Sequence, residues 1–192
     1  MVLCVGRLAS EKNLHVTVET FKAMLQVNPN LKMVWVGDGP EKGSLKLSCP
    51  NSIFSGVQRG ESLASHYASG DIFLFSSLSE TFGNVTIEAM ASGLAVLAYD
   101  YAAARQFIDH GSNGFLANLN EANSFITTGL ALVKDNVNLE KLRAHARQTT
   151  LEISWDQVTK KLENNYYDLI QNFHSKDKLA SSPVLKEIFI KQ

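Results

Sequence analysis

The chain has 192 residues, 45% of them hydrophobic, which is enough for one domain of ordinary size with a substantial core. Lys and Arg total 18 against 19 Asp and Glu, a net charge of −1, so the chain lacks the basic footprint of a nucleic-acid binder, although one local cationic pocket for a phosphate ligand fits that balance. Only Cys4 and Cys49 are cysteines and no apolar run reaches transmembrane length, which argues against a disulfide framework and a membrane span and favours a reducing compartment.

Val2 to Val5 is an apolar run of the kind found in buried strands, and Cys4 within it reads as a buried free thiol. The run is too short for a signal peptide and has no basic lead-in; a chain that opens in a core strand points to a piece cut from a longer protein. Asn13 to Val27 has helical period, with Leu14, Val18, Phe21 and Leu25 on one stripe, and Asn28-Pro29-Asn30 ends it. Further strands are expected at 31–36, 53–56, 71–75, 94–99 and 115–117. Helices are expected at 41–48, 62–69, 84–92, 102–109, 121–134, 138–149 and 155–173. In the last of these, Trp155, Val158, Leu162, Tyr166, Leu169 and Phe173 recur at core-packing spacing. Strand-helix alternation with continuous apolar strands predicts an α/β fold, a doubly wound parallel sheet covered by helices on both faces. The domain is expected to span 1–173. Residues 174–192 read as a loosely held tail, with one more helix conceivable at 184–190.

In such sheets ligands bind beyond the carboxyl ends of the strands, so the chemistry belongs to the loops there. After the first strand, Arg7 and Lys12 flank a helix start, where a phosphate is favoured by the dipole and free N–H groups; a surface loop with two solvated cations and a Glu11 ion pair accounts for the same residues. After the fourth strand comes Ser79-Glu80-Thr81-Phe82-Gly83-Asn84-Val85. Gly83 permits close approach to the backbone, and the amides of Gly83, Asn84 and Val85 can cradle a phosphate. Glu88 lies one turn beyond Asn84 and can accept hydrogen bonds from ribose hydroxyls; Glu80 sits on the ligand side of the loop and can hold sugar hydroxyls. Helix capping or surface pairing by Glu80, and an ordinary helix position for Glu88, are the plainer alternatives. Gly37-Asp38-Gly39-Pro40 reads as a tight turn. Val57 can meet a nucleobase edge through its backbone, with Arg59 either helping or solvated. The histidines at 15, 66, 110, 145 and 174 have no metal-ligand spacing, and the Gly-x-Gly-x-x-Gly dinucleotide fingerprint is missing after the first strand.

Five segments in order, GRLASEKN (6–13), VGDGP (36–40), YASGDIFLFSS (67–77), ETFGNVTIEAMASGLAV (80–96) and HGSNGFL (110–116), resemble the C-terminal domain of family 4 retaining glycosyltransferases of the two-Rossmann-domain (GT-B) architecture. The spacing of Glu80 and Glu88 matches that family's E-x7-E element, and the likeness runs from residue 1 to about 173. The resemblance implies a Rossmann-like donor-binding half. Arg7, Lys12 and Glu80 would be catalytic. The diphosphate and donor would be held by Arg7, Lys12, Thr81, Phe82, Gly83, Asn84 and Val85, the ribose by Glu88, and the base near Val57 and Arg59.

It also implies transfer with retention, without a metal or other cofactor, the leaving phosphate taking the acceptor proton. The Asn84 form of FGNV and the run ASGLAVLAYDYAAA resemble the mannosyltransferase branch that uses GDP-mannose; UDP-sugars stand beside it. The acceptor would be held by an N-terminal Rossmann domain outside these residues. A cytoplasmic setting is implied, with peripheral membrane association open to the full-length enzyme. Isolated, the chain is expected to bind nucleotide weakly and transfer no sugar. Two other readings remain: a non-catalytic nucleotide-binding module of the same fold, and an interaction domain whose tail docks a partner.

Overall fold

A computed structural model describes residues 1–134, 137–151 and 153–180. The chain divides into two compact units, Met1–Glu152 and Ile153–Gln192. In the first, strands β1 (Val2–Val5), β2 (Met33–Val36), β3 (Ile53–Gly56), β4 (Ile72–Phe75), β5 (Ala95–Tyr99) and β6 (Phe115–Ala117) alternate with helices. These are α1 (Leu14–Val27), α2 (Lys42–Ser48), α3 (Gly60–Ala68), α4 (Asn84–Ala91), α5 (Ala102–Phe107), α6 (Ala122–Leu132) and α7 (Leu139–Leu151). Element bounds differ from the sequence expectation by a residue or two at most ends, as terminal turns fray, but the last helix, expected to end at 173, continues to Ala180, into the segment read as a tail.

The strands form one parallel sheet in the order β3-β2-β1-β4-β5-β6. Four of them, β1, β2, β4 and β5, are buried throughout, which is why they read as unbroken apolar runs. The two-residue strand period then deals their side chains into two cores. Val2, Cys4, Met33, Trp35, Ile72, Leu74 and Leu97 join α1 and α6 on one face. Leu3, Val5, Val34, Val36, Phe73, Phe75 and Val96 join residues of α3, α4, α5 and α7 on the other. On α1 the fully buried stripe is Leu14, Val18, Phe21 and Met24, with Leu25 only partly covered. Burial pushes the Cys4 thiol up to about 12, so it stays protonated, as expected of a core thiol.

β1 lies at the centre, with β2 on one side and β4 on the other, so the loops leaving β1 and β4 part at this point and leave a crevice between them. The segment after β2 is more than the tight turn expected. Its backbone is stitched to the loop after β1: Gly6 N–H donates to Val36 O (3.0 Å), Leu8 N–H to Asp38 O (2.9 Å) and Glu41 N–H to Leu8 O (2.8 Å). Gly37 has φ +141, and a Cβ there would stand 1.9 Å from Gly6 O; at Gly39 it would stand 2.3 Å from Leu8 O. Two glycines are therefore needed for one backbone to lie on the other.

The second unit contains α8 (Trp155–Ala180), begun by Ser154, whose Oγ accepts from the Gln157 N–H at 3.2 Å. The expectation that its stripe packs in a core is corrected: Val158, Leu162, Tyr166, Leu169 and Phe173 are all about half exposed or more. Helical spacing makes a stripe, but burial needs a facing surface, and the described residues of this unit form one helix. The helix considered at 184–190 lies outside the described residues. Among the described residues no helix is long and apolar enough to cross a membrane.

Gly37→Ala should destabilise the first unit by about 2–4 kcal/mol, since it adds both a forbidden dihedral and a backbone clash. Chemical denaturation measures it; an unchanged midpoint would contradict the stitched-loop account.

Candidate functional site

The crevice between β1 and β4 is built by two loops that carry opposite charges towards each other. After β1 the chain passes Gly6 and Arg7, makes a single 3-10 turn at Ser10–Lys12, and swings into α1 through Asn13, whose φ of 53° is left-handed. That reversal is tied down from β4. Ser76 Oγ donates to Asn13 O (2.9 Å) and Lys12 O (3.1 Å), and Thr17 Oγ1 lies 2.7 Å from Ser76 Oγ. All three side chains, Asn13, Thr17 and Ser76, are buried, so these bonds act in a low dielectric.

Lys12 leaves this turn and its Nζ pairs with Glu80 Oε1, with the Phe75 ring 5.8 Å beneath it. Ser77 Oγ donates to the same carboxylate oxygen at 2.6 Å. Glu80 therefore neither caps α4 nor lies on the open surface. The Lys12 and Glu80 side chains are 20% and 14% exposed, so the pair is partly shielded. Arg7 behaves differently: its side chain is 68% exposed and pairs with Glu11 Oε1. For Arg7 the plainer sequence alternative, a surface cation beside Glu11, describes its position here; for Lys12 it does not. Glu11 is held below the usual carboxylate range, first by its own backbone N–H and then, against desolvation, by Arg7 and Lys12.

Thr81 and Phe82 are exposed on the rim, and Gly83 begins α4 in a left-handed conformation, φ 90° and ψ 53°. No side chain caps α4. Its first amides, at Asn84 and Val85, thus present their N–H groups at the carboxyl end of β4, beside the Lys12–Glu80 pair.

Sequence reasoning missed the clasp that holds this loop. Ala103 N–H donates to Phe82 O at 2.7 Å, and Phe107 meets Phe82 edge-on with ring centroids 6.2 Å apart. Tyr101 donates its hydroxyl to Ser77 O at 2.9 Å; burial raises its pKa, which keeps it a donor. Ala102, at φ 50°, is the backbone outlier that admits this approach. The only sequence signal was the small-residue run after Tyr101, which lets α5 come close.

Glu88 lies on α4, exposed, with Oε2 accepting from the Tyr67 hydroxyl at 2.9 Å. Val57 and Arg59 are exposed at the carboxyl end of β3, beyond the stitched turn, where Gly37 N–H donates to Gly56 O at 2.8 Å. Every predicted site residue is therefore at the carboxyl edge of the sheet or on the helix leading from it. Among the described residues, the ion pair that joins two of them from different loops is Lys12 with Glu80. Among the described residues no three His, Cys, Asp or Glu side chains group to hold a metal ion.

Residues 1–135 match the family described as Glycosyl transferases group 1. The sulfoquinovosyl transferase of Arabidopsis thaliana is 33% identical over 184 residues, covering 93% of this chain and 35% of that protein. A GDP-mannose-dependent alpha-mannosyltransferase of Mycobacterium tuberculosis is 36% identical over 163 residues, covering 84% of this chain and 41% of that one. The chain thus spans well under half the length of these relatives. Among solved structures, the pneumococcal O-GlcNAc transferase in complex with UDP and GlcNAc shares the fold with a TM-score of 0.73 at 23% identity, over 88% of this chain and 35% of that one. The C-terminal domain of a glycosyl transferase group 1 family protein from Francisella tularensis gives 0.68 at 21% identity, over 78% of this chain and 84% of that one.

Ser76→Ala removes the donor to the Lys12 turn and strips the buried Thr17 hydroxyl of its partner, and should cost about 1–3 kcal/mol of stability. A denaturant midpoint equal to that of the unsubstituted chain would show that the tie does not hold the turn.

Proposed function

The chain belongs to the group 1 glycosyl transferases, and from that premise we propose that it is the donor-binding domain of a retaining hexosyltransferase that takes a GDP- or UDP-linked sugar. The observation that carries this reading is the Lys12–Glu80 pair at the point where β1 and β4 part, beside the uncapped start of α4. A cation, free helix amides and a carboxylate meet there, which is what a sugar diphosphate asks for: positive charge for the phosphates and an acceptor for sugar hydroxyls.

In this reading the distal phosphate oxygen leaves the anomeric carbon as the acceptor oxygen bonds to that carbon from the same face, and the leaving phosphate takes the acceptor proton. Negative charge grows on the leaving oxygens. Lys12, Arg7 and the amides of Gly83, Asn84 and Val85 stabilise it, while Thr81 and Phe82 wall the donor. Glu80, steadied by Ser77, faces the sugar; Glu88 takes the ribose; the base lies towards Val57 and Arg59. These groups supply the charge stabilisation without a metal ion. The acceptor is held by a second Rossmann domain, and closure of the two completes the site, so this chain alone transfers no sugar. The full-length enzyme works in the cytoplasm, including at a membrane face. The mannosyltransferase relatives favour GDP-mannose as donor.

Calorimetric titration with GDP, UDP and ADP, without and then with magnesium, tests the reading. One nucleotide should bind without metal, and Lys12→Ala and Glu88→Ala should each weaken it at least about tenfold, ~1.4 kcal/mol. Unchanged affinity in both variants, or binding only with magnesium, would contradict it.

A further inference from the structure

We propose that Tyr67 is a positioning residue for nucleotide recognition: its buried hydroxyl holds the Glu88 carboxylate in the orientation that receives the ribose. The proposal rests on Glu88 being the ribose contact, as put forward above.

Tyr67 stands in the last turns of α3, and only 3% of it is exposed. Its ring packs against Phe73, centroids 6.0 Å apart and planes tilted 49°, within the core face that includes Leu3, Val5 and Phe75. The ring is thus fixed by the sheet, and its hydroxyl emerges 2.9 Å from Glu88 Oε2, on a different helix and 21 residues away in sequence. Burial first, and then the nearby Glu88 charge and hydrogen bond, raises the phenol pKa far above its ordinary value, so Tyr67 remains a donor at any working pH. The carboxylate is the acceptor.

Glu88 itself is exposed. A free glutamate on a helix surface samples many rotamers, and ordering it on binding costs affinity. The bond from Tyr67 moves that ordering into folding. It uses Oε2, and Oε1 is the oxygen that would accept from a ligand hydroxyl. A buried tyrosine hydroxyl needs a partner in any protein. What marks this one is that its partner is an exposed carboxylate, on the helix that leads from the loop after β4, rather than a group of the core.

The test is calorimetric binding of GDP, UDP and their 2′,3′-dideoxy counterparts to this chain and to Tyr67→Phe, Glu88→Ala and the double variant. Tyr67→Phe should weaken the ribonucleotide about three- to tenfold, the worth of one hydrogen bond. It should leave the dideoxynucleotide within about a factor of two, and add nothing further in the Glu88→Ala background. Equal weakening of ribo- and dideoxynucleotide would assign the hydroxyl a structural role and overturn the proposal, as would loss of the helical circular-dichroism signal in Tyr67→Phe. Full ribonucleotide affinity in Tyr67→Phe, alongside weakening in Glu88→Ala, would overturn it while sparing the ribose reading. No effect of Glu88→Ala would remove the ribose reading itself, and no nucleotide binding by the unsubstituted chain would remove the proposed function and this inference with it.

Discussion

β1 pairs in parallel with β2 on one side and with β4 on the other, and the placement of the site follows from that pairing. Because the order runs β3-β2-β1-β4-β5-β6, the loop after β1 and the loop after β4 leave the sheet side by side yet lead to helices on opposite faces. A crevice opens where they separate. Hydrogen bonds keep it in register: Ser76 at the end of β4 holds the carbonyls of Lys12 and Asn13, and the carbonyls of Val36 and Asp38 hold the amides of Gly6 and Leu8. The crevice is thus defined by main chain, and its side chains inherit their positions from it.

The charges around the crevice are paired with one another, and the pairs are unequal. Arg7 with Glu11 is a solvent-exposed pair that contributes little to stability. Lys12 with Glu80 is better shielded, and Ser77 and the Phe75 ring help define where each member lies. Under the proposed function, an anion would recruit Arg7 at small cost and find Lys12 held close by. Ser77 holds the Glu80 carboxylate independently of Lys12, so under the proposed function Glu80 would stay oriented when Lys12 engages a phosphate.

The fold was legible because its strands are buried on both faces and so appear as unbroken apolar runs, as at Ile72–Phe75 and Ala95–Tyr99. Arg7, Lys12 and Glu80 could be singled out because charged residues stand near a helix start, and Glu88 because it lies one turn inside the same helix as Asn84. Less legible were contacts made by backbone. The stitching of Val36, Asp38 and Glu41 to the loop after β1 is main chain to main chain, and Gly37 and Gly39 only make room for it, so Gly-Asp-Gly-Pro looked like any turn. The clasp of Ala103 on Phe82 is likewise a main-chain bond. The Tyr67–Glu88 bond joins two helices with no shared periodicity, so only the folded chain reveals it. On α8, periodicity described a real stripe but said nothing about what it faces.

The most direct test of the account is a crystal structure of this chain with a bound nucleoside diphosphate. The account predicts the diphosphate in the crevice between β1 and β4, with Lys12 Nζ and the amides of Asn84 and Val85 within hydrogen-bond distance of its oxygens and the ribose against Glu88. A nucleotide bound elsewhere on the domain, with the Lys12–Glu80 pair intact and no phosphate beside it, would contradict it.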